Sequence, residues 1–78
     1  YRYFCLKMAR ANSIFGAARN LFDGSVEVIA VGEREALEVY LDALRQGPSY
    51  ANVESVETAE LDERRIEEFS ERGDFDIL

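Results

Sequence analysis

Apolar and polar positions recur along this chain with two different periods. In "YRYFCLKMARANSIF", Phe4, Met8 and Ala11 fall at helical spacing, with Cys5, Ala9 and Asn12 alongside and Lys7 and Arg10 opposite. This predicts a first helix that stops at Asn12-Ser13, before Ile14 and Gly16. Its Met and aromatic stripe reads as core packing. Residues 17–22 and 25–31 read as two strands joined at Asp23-Gly24, a pair that tolerates the positive φ of hairpin turns. "VEVIAV" is mostly apolar, as suits a strand inside a sheet, and Gly32 ends it. "EREALEVYLDALRQG" places Leu37, Tyr40, Leu41 and Leu44 on one side of an amphipathic second helix. Glu33 and Glu35 sit in its first turn and Arg45 in its last, as the helix dipole favours. Gly47-Pro48 stops it.

The pattern is weaker after residue 50. "ANVESVETAEL" alternates in part, with Val53 and Val56 out of phase by one, so residues 52–60 are predicted as a strand with a bend or bulge. "DERRIEEF" is expected as a charged loop with some helix, and "FDIL" as a short closing strand. The order is helix, strand, strand, helix, strand, strand. One further strand in front would give βαββαβ, the ferredoxin-like α+β sandwich, with two helices on one face of an antiparallel sheet. The chain opens with Tyr1-Arg2 at the threshold of a helix. The expectation is therefore one domain over residues 1–78, N-terminally incomplete and without that first strand.

Composition narrows the chemistry. The 78 residues are 47% apolar, enough for one compact core, with charge mixed along the chain and a single Pro. No apolar run approaches the roughly 20 residues of a membrane helix. Cys5 is the only cysteine and cannot form an internal disulfide, which fits a reducing, cytoplasmic setting. There is no histidine, which removes the usual zinc sites and any Ser-His or Cys-His nucleophile. Chemistry here must rest on Arg, Asn, backbone amides or carboxylates.

A net charge of −7 argues against general nucleic-acid binding. The charge is unevenly spread. Residues 1–22 hold Arg2, Lys7, Arg10 and Arg19 with no acid, while residues 23–78 hold all 16 acids against five bases. The basic quarter either attracts an anionic ligand or packs against the acidic elements and neutralises them. The acids of "ELDERRIEEFSERGD" read as a solvated face, since the run lacks the ligand order and central Gly of a calcium loop.

One spacing is specific. Gly16, Arg19-Asn20, Gly24, Val26 and Gly32 together resemble the second conserved motif of the acylphosphatase family. "VEVIAVGEREALEVYLDALRQGP" is similar to the family's next strand, glycine and helix, and "GPSYANVESVE" to the stretch after that helix. The family pattern has an aromatic residue after the first Gly, where this chain has Ala17. Tyr1-Arg2 resembles the end of the family's first motif, a glycine-rich turn closing on an aromatic and an Arg, with Tyr1 in place of the more usual Phe. The resemblance implies that Arg2 binds the substrate phosphate and Asn20 orients the attacking water. It also implies hydrolysis of the carboxyl–phosphate bond of a small acyl phosphate, with inorganic phosphate released. No metal or organic cofactor, no nucleic acid and no membrane is implied, and a monomer is expected.

Physical chemistry points the same way. Arg presents a planar fork of donors to two phosphate oxygens, and a helix N-terminus adds free N–H groups. Asn can accept from water and donate to phosphate at once. Alone, Arg2 is a surface arginine and Asn20 a residue capping the backbone before the turn; the spacing gives them a shared role. Two other readings stay open. One is an inactive acylphosphatase-like binding or regulatory domain, or a fragment of a larger protein. The other is a partner surface on the acidic helix at 33–46.

Overall fold

The computed structural model describes all 78 residues. Helix α1 spans Arg2–Ala11, strands β1 and β2 span Phe15–Asn20 and Val26–Val31, and helix α2 spans Arg34–Gln46. Helix α3 covers Glu63–Arg72 and strand β3 covers Phe75–Ile77. Asn12 ends α1 as expected: its Nδ2 donates to the Met8 carbonyl at 2.8 Å, and Ile14 N–H reaches back to the Ala9 carbonyl at 2.8 Å. The side chain and the reversed chain satisfy carbonyls that the helix end leaves open.

The sheet has the order β2-β1-β3, so β1 is central. β1 and β2 are antiparallel, Ala18 opposite Val28 and Asn20 opposite Val26. β1 and β3 are parallel, Gly16 opposite Phe75 and Ala18 opposite Ile77. The outer edge of β2 has no neighbouring strand. The strands are set two residues earlier than expected for β1 and one later for β2. A five-residue turn, Leu21–Ser25, therefore surrounds Asp23-Gly24.

Strand alternation divides the sheet into two faces. Toward α1 and α2 lies one core: Cys5, Ala9, Ile14, Ala18, Tyr40, Leu44 and Phe75. Val26, Val28 and Ala30 of β2 pack against it. The Tyr40 ring meets Phe75 edge-on at 6.3 Å, and its hydroxyl donates to the Cys5 carbonyl at 3.0 Å, so its one polar group is satisfied inside. The expected stripes of both helices are thus borne out as packing except at Ala11, which is exposed.

Two expectations are corrected. Residues 52–60 form no strand. Alternation makes a segment strand-like, but its amides need a partner edge, and none of the three strands pairs with it. "DERRIEEF" is not a loop but the body of α3. Asp62 caps that helix, its carboxylate accepting from Arg64 N–H at 2.8 Å, and Gly73 closes it in the left-handed conformation. α3 lies on the sheet face away from α1 and α2, and Phe69 is its only buried residue. Arg65 and Arg72 lie over the Phe69 ring, 5.9 and 5.7 Å from its centre. The ferredoxin-like class stands, realised here as a three-stranded mixed sheet with a helix on its second face.

Candidate active site

Arg2 is the first residue of α1, and no acid occupies the first turn of that helix. The first N–H groups of any α-helix lack partners within it, so this end carries a partial positive charge beside a cationic side chain. Tyr1 anchors the end. Its hydroxyl donates to the Leu44 carbonyl at 2.7 Å and its ring stacks on Phe4. Burial, with Cys5 nearby, pushes the Tyr1 hydroxyl up to about 12, so it stays neutral at neutral pH.

The Arg2 guanidinium does not drift in solvent. Its Nη1 donates to the Leu78 carbonyl at 2.7 Å, and Leu78 N–H donates to the Ala18 carbonyl of β1 at 2.9 Å. These two bonds tie the head of Arg2 to the end of the central strand. Its hydrogen-bond partner is a main-chain oxygen, and no acidic side chain pairs with it.

Asn20 closes β1 at that same end. It is exposed, and it lies opposite Val26, which packs on the α1–α2 core. Alternation from Ala18 sets Asn20 on that face, where α1 also packs. Arg2 and Asn20 thus lie at the same end of the sheet, with α1 packed on the face to which Asn20 points. No hydrogen bond joins their side chains. The following turn is held by Asp23, whose carboxylate accepts from Ser25 N–H at 2.9 Å and Ser25 Oγ at 2.6 Å. The Ser25 hydroxyl and amide hold the Asp23 carboxyl below the ordinary aspartate range.

Arg19, between Ala18 and Asn20, points to the opposite face and pairs with Glu27 across the hairpin at 2.8 Å. Ala17 also faces that side. It lines a cleft of about 110 Å³ with Ile29 and Phe69, smaller than a typical small-molecule pocket. The departure from the family pattern at Ala17 therefore changes packing under α3 and leaves the Arg2–Asn20 face untouched. The Leu78 carbonyl was not foreseen. It is a main-chain atom, and no residue type in the sequence signals it.

Residues 1–77 match the profile of the family described as Acylphosphatase. The chain is 45% identical over 69 residues to a protein named Acylphosphatase from Deinococcus radiodurans, covering 88% of this chain and 79% of that one. It is 53% identical over 57 residues to one of the same name from Thermus thermophilus, covering 73% and 65%. The crystal structure of acylphosphatase from Bacillus subtilis superposes with a TM-score of 0.79 at 27% identity, over 100% of this chain and 81% of that one.

Proposed function

The chain belongs to the acylphosphatase family, and we propose that it hydrolyses the carboxyl–phosphate bond of acyl phosphates with Arg2 and Asn20 at the reacting centre. Arg2 binds the phosphate dianion through its planar fork, helped by the free N–H groups at the start of α1. Asn20 accepts a hydrogen bond from the attacking water through its side-chain oxygen and steadies a phosphate oxygen through its amide donor. Water oxygen forms a bond to phosphorus as the bond from phosphorus to the acyl oxygen breaks. The carboxylate leaves with the electron pair, and the proton lost by water ends on phosphate or solvent. A carboxylate is a good leaving group, so the protein's task is positioning and charge stabilisation, and the lack of histidine is no obstacle.

One observation carries this reading: Arg2 is held at the end of β1 that Asn20 closes, with both residues exposed enough to meet a ligand. The reading takes residues 1–78 as one domain and its substrate as a small-molecule acyl phosphate. It extends to a monomer working in the cytoplasm, supported by the single unpaired thiol. No helix is long and apolar enough to cross a membrane. Nothing observed favours an inactive binding domain or a partner surface on α2.

The test is benzoyl phosphate hydrolysis by the chain, Arg2→Ala and Asn20→Ala. Each variant should lose about 100-fold or more in kcat, the scale set by removing one preorganised donor. Arg2→Ala should also weaken inhibition by inorganic phosphate. Equal rates in all three proteins would end the assignment.

A further inference from the structure

An acyl phosphate has two ends, and Arg2 and Asn20 serve only the anionic one. The acyl group needs apolar surface near the same strand end. Two residues beyond Asn20, on the Leu21–Ser25 turn, stands Phe22. Its relative exposure of 113% is the highest among the large apolar side chains, so it contributes nothing to the core. An isolated exposed apolar residue is common and by itself means little. Phe22 differs in being carried on an ordered turn. Leu21 N–H bonds the Ser25 carbonyl at 2.9 Å, Gly24 N–H bonds the Leu21 carbonyl at 3.1 Å, and Asp23 takes both donors of Ser25. The backbone that carries the ring is thus held just past the residue proposed to hold water, so little backbone ordering is needed on binding.

We propose that Phe22 is a specificity-determining residue that takes the acyl group, favouring aromatic over small aliphatic acyl phosphates. This rests on the hydrolytic reading above. The phenyl ring offers an aromatic acyl group a stacked or edge-on partner, whereas an acetyl group is too small to use it.

The experiment compares kcat and KM for benzoyl phosphate and acetyl phosphate in the full chain, Phe22→Ala, Phe22→Leu and, as a control on the exposed side of α2, Val39→Ala. In Phe22→Ala the benzoyl-to-acetyl ratio of kcat/KM should fall about three- to ten-fold, the range one aromatic contact supplies. The change should lie in KM for benzoyl phosphate, with kcat held. Phe22→Leu should fall between, and Val39→Ala should keep the ratio. An unchanged ratio in Phe22→Ala overturns the proposal. A second measurement does not need turnover. Benzoylphosphonate, which resists hydrolysis, should move the Phe22 ring resonances in NMR spectra, whereas inorganic phosphate should not. Phe22 resonances that stay in place with benzoylphosphonate overturn the proposal. Movement in a chain that hydrolyses neither substrate would end the hydrolytic reading and leave the acyl contact standing.

Discussion

Gly16→Ala should be among the most damaging single-methyl additions to this protein. Gly16 sits in the central strand, opposite Ala30 of β2 and Phe75 of β3, and its N–H bonds the Asp74 carbonyl at 2.9 Å. Its φ is +146°, a region that side chains rarely enter. A Cβ added there would lie 2.7 Å from the carbonyl carbon of Ile29 and closer still to its oxygen. Carbon atoms pack at about 3.5–4.0 Å, so β1 and β2 would have to part by roughly 1 Å. That separation breaks two or more strand hydrogen bonds at about 1 kcal/mol each. The backbone strain adds about 1–3 kcal/mol. The total is about 3–5 kcal/mol. A domain of this length is held by only about 4–12 kcal/mol, so the loss is roughly a quarter or more of its margin. Gly24→Ala is the matched control. Gly24 has φ +90° but nothing within 4 Å of the added carbon, so only the strain of about 1–3 kcal/mol remains. Urea unfolding followed by tyrosine signals, with both variants beside the parent, reads the difference. Equal midpoints for the two variants would refute the reasoning, since the loss of strand hydrogen bonds, about 2 kcal/mol, falls on Gly16 alone.

Stability should also fall in alkali. Burial pushes the Cys5 thiol up to about 11 from 9.0, and burial pushes Tyr1 up to about 12 and Tyr40 further. Each group folds neutral, so its contribution is full below its unfolded value and is lost as pH rises through the folded one. Urea midpoints should hold to about pH 9 and then decline, and Cys5→Ala should move the onset toward the tyrosine range near pH 10; a flat profile up to about pH 11 would contradict this. Asp23 runs the other way. Its carboxyl is held low by Ser25, so it supports the turn above the ordinary aspartate range and ceases to do so as acid protonates it. Asp23→Ala should therefore be less stable than the parent at neutral pH, with the gap closing in acid; a gap that persists there would show that the charge is not what matters.

Which features could be read from residues alone follows from what each depends on. α1, α2 and the hairpin declare themselves because each buries a regular stripe, and Asn12 and Gly47 stop the helices where a polar cap or a glycine is needed. α3 hides because it buries one residue, Phe69, among charges. Residues 52–60 mislead because alternation describes one strand and says nothing about a neighbour. At the site, Arg2 and Asn20 emerge from motif spacing, and the face of Asn20 follows once the register puts it opposite Val26. The Leu78 carbonyl that holds Arg2 could not emerge, since every residue carries one.

The bare flank of β2 has a further consequence for solution work. Every second amide of Val26–Val31 there points away from β1, while Gly16–Ala18 of β1 have strands on both sides. Deuterium uptake along β2 would therefore show a tooth-and-gap pattern, fast and slow at alternate residues, within an otherwise protected hairpin. The same fringe is where a concentrated sample would begin to anneal into longer ribbons.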